Sequence, residues 1–210
     1  MKYVALLAGI LCGLLTSCST TTPALHSTRV SVIQELVPQG QYARRQPQSM
    51  SPKYITIHST QSYGRGANAR SHAMGQKNGA FKGPNNKVGY RSWHFTVDDH
   101  SIYQSLPATE QGQHADYEGP GNKTSIGIEM CQNSDGNWSK TLDNAARLTA
   151  DLMRQYNIPI SNVVPHMHWR MIRYSDGRDL GYKACPLPLL DHGKLGAKWQ
   201  SFLRLVESYR

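Results

Sequence analysis

One stretch, His166 to Pro186 with the sequence HMHWRMIRYSDGRDLGYKACP, constrains this chain more than any other. A histidine and a cysteine brought together across a loop suit Zn²⁺, which takes imidazole nitrogen and thiolate sulfur equally well. A catalytic zinc site uses three protein ligands and keeps a fourth position open. His166 and Cys185 would supply two of them, and His58, near the end of KYITIHST, is the candidate for the third. Pro186 removes a backbone donor and stiffens the loop behind the thiolate. Lys183 precedes Cys185 by two residues, so in an extended segment both side chains point the same way. A cation there is out of keeping with a structural zinc site and useful where negative charge develops in a transition state. Taken alone, the stretch also reads as a basic loop ending in a buried free cysteine.

Length and charge narrow the class. At 210 residues the chain fits one domain plus a short extension. Its formal charge of +9 admits anionic partners: nucleic acid, anionic lipid or an anionic cell-wall polymer. Lys and Arg are scattered and no nucleic-acid motif is present, so nucleic acid is set aside.

Residues 1–18, MKYVALLAGILCGLLTSC, read as an export signal. The apolar run from Tyr3 to Leu15 is short for a membrane span, and small residues precede Cys18. Leu15-Thr16-Ser17-Cys18 resembles a bacterial lipobox, in which the cysteine becomes the lipidated first residue; an ordinary signal peptide is the alternative. Ser19 rather than Asp after that cysteine points to an outer-membrane anchor facing the periplasm. Residues 19–50 are rich in Ser, Thr, Gln, Pro and Arg and read as a flexible tether, leaving 51–210 as one domain. Of the remaining cysteines, Cys131 and Cys185, export favours a disulfide, which competes directly with zinc binding.

Hydrophobic patterning then predicts an α/β chain. Strands are expected at Tyr54–His58, Arg91–Val97, Ser101–Leu106 and Thr124–Cys131. Helical spacing runs from Thr141 to Tyr156, with Thr141 or Ser139 as cap and Asn157-Ile158-Pro159 as stop. A second amphipathic helix follows Asp191. Residues 66–77 form a weaker helix in which His72 reads as a surface histidine. Glu129 falls at the inner end of a buried strand, where a lone carboxylate is costly without a partner.

The order Ile57-His58-Ser59-Thr60, Trp93-His94-Phe95, His114, Asn122, Ser125-Ile126-Gly127-Ile128-Glu129, His166 and Lys183-Ala184-Cys185-Pro186 resembles the zinc-dependent N-acetylmuramoyl-L-alanine amidases. These type 2 amidases are related to bacteriophage T7 lysozyme and to the peptidoglycan recognition proteins. The resemblance covers Lys53 to Leu190 and implies a mixed central β-sheet flanked by α-helices, with zinc in a groove at one end. It implies His58, His166 and Cys185 as zinc ligands, with Trp169 selecting His166 over His168. It also implies Lys183 as the group that stabilises the tetrahedral intermediate and Glu129 as the carboxylate that moves the proton. Trp93 occupies a position held by tyrosine in many relatives, and it cannot accept a proton. Trp93, His114 and Asn122 are expected to contact substrate, with His94 either core or groove. The insert MIRYSDGRDLGY between His166 and Lys183 is expected to form a rim of the groove.

The expected function is therefore hydrolysis of the amide between N-acetylmuramic acid and L-alanine in peptidoglycan, by a lipid-anchored monomer carrying Zn²⁺. Two rivals remain at this stage. One is a non-catalytic peptidoglycan-binding module of the same fold, and the other is a metal-free envelope protein with a Cys131–Cys185 bond.

Overall fold

The computed structural model describes residues 31–83, 86–173 and 175–210. The export signal and the lipidation residue Cys18 lie outside that range. The elements are β1 (Ile33–Gln34), β2 (Tyr54–Ser59), α1 (Ala69–Lys77), β3 (Phe95–Val97), β4 (Ile102–Gln104), α2 (Pro120–Thr124) and β5 (Ser125–Met130). They continue with α3 (Trp138–Tyr156), β6 (Val163–Pro165), β7 (Arg170–Arg173), β8 (Arg178–Tyr182) and α4 (Ala197–Ser208). The expected mixed sheet with flanking helices is the observed architecture.

Six strands form one sheet in the order β1-β4-β3-β5-β2-β6, with β7 and β8 making a separate hairpin. Only β3 and β4 pair antiparallel within the large sheet. Side-chain alternation splits its central strands into two chemistries. Ile55, Ile57, Ile126, Ile128 and Met130 join the main core. Thr56, His58, Ser125, Gly127 and Glu129 alternate with them and so occupy the opposite face.

The apolar face is covered by α3 and α4, through Ala145, Ala146, Leu152, Trp199, Phe202 and Val206. A fully buried side chain such as Phe202 contributes roughly 1.5–3 kcal/mol through area removed from water. The helical spacing in α3 is as expected, but it starts earlier, at Trp138. Asn137 rather than Ser139 or Thr141 is its cap, accepting from the Lys140 amide at 3.2 Å. Asn157 ends it in the left-handed conformation at φ 53°.

Residues 31–50, expected as a flexible tether, are held to the domain at several points. β1 pairs with β4, and Val37 and Met50 are buried. Arg44 makes a bidentate pair with Glu110 at 2.7 and 2.8 Å. The polar composition that suggested a tether is satisfied instead by specific partners on the loop after β4.

Candidate active site

Three separate segments converge at one end of β2. His58 lies on that strand opposite the isoleucine face, and the single turn His166–His168 follows β6, the parallel neighbour of β2. The amide of Met167 donates to the Cys185 carbonyl at 3.1 Å, tying the histidine turn to the cysteine loop. Trp169 locks the turn from below, its indole N–H donating to Thr56 Oγ1 at 2.9 Å. As a result, ligand atoms of His58, His166 and Cys185 lie within 4.8 Å of one another, and all three residues are buried.

The hydrogen bonds around the two imidazoles decide where their protons sit. A carbonyl oxygen only accepts, so His166 Nε2, 2.9 Å from the Ala115 carbonyl, must carry a proton. His166 Nδ1 is then a bare lone pair. By the same rule His114 Nε2, 3.2 Å from the Ser125 carbonyl, is protonated and His114 Nδ1 is an acceptor. His58 Nε2 lies 3.0 Å from that acceptor and must donate to it, which leaves His58 Nδ1 bare as well. The two bare nitrogens are 2.9 Å apart. Two lone pairs facing each other at that distance in a buried site repel, and a cation between them removes the repulsion. With a cysteine sulfur alongside, this donor set fits a soft to borderline dication such as Zn²⁺.

Electrostatics agree with neutral imidazoles. His58 is held well below its ordinary pKa by burial, then by His166, His114 and Lys183. His166 falls to about 4, through burial and Lys183. Burial pushes the Cys185 thiol up to about 12, with Glu129 adding to the rise and Ser59 and Lys183 opposing it. Glu129 rises to about 8 because it is desolvated, with Lys183 pulling the other way. Its Oε2 is buried with no hydrogen-bond partner, the one carboxylate oxygen in that condition among the described residues. His166 and Glu129 line a groove of ≈ 770 Å³, whose walls also include Phe81, Trp93, Tyr117 and Lys183.

Several residues sit differently from expectation. Asn122 lies on the groove wall, buried, with its side-chain amide engaged within the protein. Its Oδ1 accepts from the amides of His114 and Ala115 at 2.9 and 2.8 Å, and its amide nitrogen donates to Gln113 Oε1 and the Tyr117 carbonyl. His114 lines the groove, yet both of its ring nitrogens are engaged within the protein. Trp93 presents its ring to the groove while its N–H donates to Thr96 Oγ1 at 2.7 Å. His94 is core: it donates to the Glu110 carbonyl at 2.8 Å and accepts from the Gly127 amide at 2.9 Å. His168 is exposed, packed on Trp169 and away from the ligand cluster.

His72, read as a surface residue, is buried in the groove wall, stacked on Phe81 at 5.9 Å between centroids. No local signal distinguishes it, since the Phe81 that covers it comes from a later loop. The insert after His166 forms the β7–β8 hairpin, and Met171 from it reaches the groove. Four of its charged residues pair with each other, Arg170 with Asp179 and Arg173 with Asp176.

The N-acetylmuramoyl-L-alanine amidase family matches residues 48–188. The chain belongs to that family. Among its relatives, the N-acetylmuramoyl-L-alanine amidase CwlH of Bacillus subtilis (strain 168) is 44% identical over 162 residues, covering 76% of this chain and 55% of its own length. The N-acetylmuramoyl-L-alanine amidase XlyA of the same organism is 43% identical over 175 residues, covering 82% and 50%. This chain thus spans about half the length of the curated relatives it matches. The solved catalytic domain of XlyA is 42% identical with a TM-score of 0.67, covering 84% of this chain and 99% of that domain. The structure of PlyL matches with a TM-score of 0.64 at 30% identity.

Proposed function

We propose that this amidase-family domain cuts the amide between the lactyl carbonyl of N-acetylmuramic acid and L-alanine in peptidoglycan, using zinc held by His58, His166 and Cys185. The observation that carries this reading is the pair of bare Nδ1 atoms, 2.9 Å apart, with a cysteine alongside, next to a groove that His166 lines. Bound there, zinc would polarise the scissile carbonyl and make water a competent nucleophile near neutral pH.

The chain's own groups would handle the proton and the developing charge. Glu129, which lines the groove, would take a proton from the attacking water and return it to the leaving amine. That role requires an ionised carboxylate, which Lys183 and a cation at the neighbouring ligands both favour. Lys183, exposed on the groove wall, would hold the oxyanion, a contribution on the order of 3–4 kcal/mol for one donor of this kind. Trp93 and Phe81, packed edge to face at 4.8 Å, would offer an apolar wall to the substrate.

Purified protein incubated with isolated cell wall should release free α-amino groups on L-alanine and carry one zinc per chain. Zinc binding without cleavage of the wall would favour the binding-module reading, and absence of both would refute the site.

For localisation, the family's cell-wall substrate supports the cell envelope, and we extend this to lipid anchoring through Cys18 in the outer membrane, facing the periplasm. The support is the order Leu15-Thr16-Ser17-Cys18 with Ser19 following. No helix among the described residues is long and apolar enough to cross a membrane. Replacing Cys18 by Ala should release the protein from membranes, and retention would refute the anchor.

A further inference from the structure

We propose that His114 is a positioning residue for the metal centre: through a Ser125–His114–His58 relay it fixes His58 as the Nε2–H tautomer and aims Nδ1 at the metal. The proposal rests on the zinc reading above and adds a cause for the ligand geometry. A ligating imidazole can present either nitrogen, and the hydrogen bond made by the other nitrogen decides which. For His166 that bond goes to a backbone carbonyl, Ala115, which can act only as an acceptor. For His58 it goes to another imidazole, which accepts or donates according to its own tautomer. The direction of the His58 bond is thus set one residue further out, at the Ser125 carbonyl.

The surroundings of His114 hold this arrangement. Its backbone amide and that of Ala115 are both clamped by Asn122 Oδ1. One short segment therefore carries the outer partner of both histidine ligands, a side chain for His58 and a carbonyl for His166. The sheet beneath leaves no slack, since a Cβ at residue 127 would come within 2.8 Å of His114 Nδ1. Only glycine at that position allows the ring to lie where it does. The ring of His58 meets that of His114 edge-on, with centroids 5.1 Å apart, the geometry of an in-plane N–H donor reaching a neighbouring ring.

The test uses the full zinc-loaded chain, its His114→Leu and His114→Asn variants, and two measurements independent of catalysis. The first is the ¹H–¹⁵N signal of each imidazole, which reports which nitrogen holds the proton and how fast it exchanges. The second is zinc retained against a graded chelator. In the wild type His58 and His166 should both show a protected Nε2–H. In His114→Leu the His58 proton should exchange freely while that of His166 stays protected, and zinc affinity should fall by about 10–100-fold. In His114→Asn an amide oxygen stands near the lost Nδ1 and should restore most of the affinity. A wild-type spectrum with His58 protonated at Nδ1 overturns the proposal, and that result needs no variant to fold. So does unchanged zinc retention in His114→Leu, or failure of Asn to restore what Leu loses. A wild type that takes up no zinc refutes the metal site itself and is distinguishable from all of these.

Discussion

Glu129 is the register partner of His58 across the parallel β2–β5 ladder. Neighbouring strands lie ≈ 4.7–4.9 Å apart, so the imidazole of His58 and the carboxylate of Glu129 project side by side from one sheet face. That adjacency is built into the backbone pairing and does not depend on a loop. Glu129 lines the groove, while its Oε2 is buried without a hydrogen-bond partner, and burial raises its pKa to about 8, so the folded chain meets the cost of burying it by favouring the neutral acid.

Replacing Glu129 by Gln should therefore leave zinc bound and lower kcat by about 10²–10⁴-fold, the usual contribution of a general base. Metal content and turnover measured on the same preparation would check it. Full activity would move the proton-transfer role elsewhere.

Lys183→Ala should also keep zinc and lose kcat with little change in KM, because its charge interacts most strongly once the oxygen has become anionic. A thiolate ligand lowers the electrophilicity of the metal, which places more of the charge stabilisation on this lysine. An effect confined to KM would make Lys183 a ground-state contact.

The two neighbouring histidines should behave oppositely. His166→Ala removes a buried donor aimed at His58 and should empty the site. His168→Ala removes an exposed ring packed on Tyr54 and Trp169 and should leave zinc in place. Cys185→Ser should lose both zinc and activity, since a neutral hydroxyl is a poor substitute for thiolate. Zinc stoichiometry of the three variants distinguishes these outcomes from a shifted ligand set.

Much of this site was legible because its parts are strand and motif features. Tyr54–His58 shows β-branched alternation, and the Lys-Ala-Cys-Pro segment is short and distinctive, so their positions followed from local chemistry. Trp169 anchors the histidine turn through Thr56, and it is His166 of that turn that lies beside His58 and Cys185. What was not legible depends on contacts distant in sequence. Asn122 and His114 line the groove, and only the hydrogen-bond pattern reveals that their polar groups are spent inside the protein. The packing of residues 31–50 was hidden for the same reason, since Arg44 looks like a solvated linker residue until Glu110 is found beside it.

Cys131 gives a sharper case. It follows Glu129 by two residues, which on a continued strand would place it on the groove face. The strand ends at Met130, however, and Cys131 lines a separate cavity of ≈ 210 Å³ with Tyr63 and Trp138. Both cysteines are free, and burial raises the Cys131 thiol pKa so that it is a poor nucleophile. Zinc-loaded protein denatured in an alkylating reagent should therefore show Cys131 and Cys185 both modified. A Cys131–Cys185 disulfide in active protein would remove Cys185 from the ligand set.

The buried imidazoles also set how the metal-free chain responds to acid. His94 and His166 titrate near 4 in the folded protein, chiefly because they are desolvated, against an ordinary 6.5. Between those values the unfolded chain binds protons that the folded chain does not. The stability they contribute is thus present above pH 6.5 and lost as pH falls toward 4, at about 1.4 kcal/mol per pH unit for each. Glu129 has the opposite sign. Its pKa rises from an ordinary 4.5 to about 8 on folding, so the folded chain keeps a proton that the unfolded chain has released. That contribution is present below pH 4.5 and lost as pH rises through 8. Urea unfolding of the metal-free protein should show a midpoint that drops on both sides of neutrality. In Glu129→Gln the alkaline fall should be smaller and the acid fall steeper, because between pH 4.5 and 6.5 the Glu129 contribution opposes that of the histidines. An acid limb that is flat between pH 6.5 and 4 would mean that the histidines are not held neutral in the folded chain, and the lone-pair argument for the metal site would lose its premise.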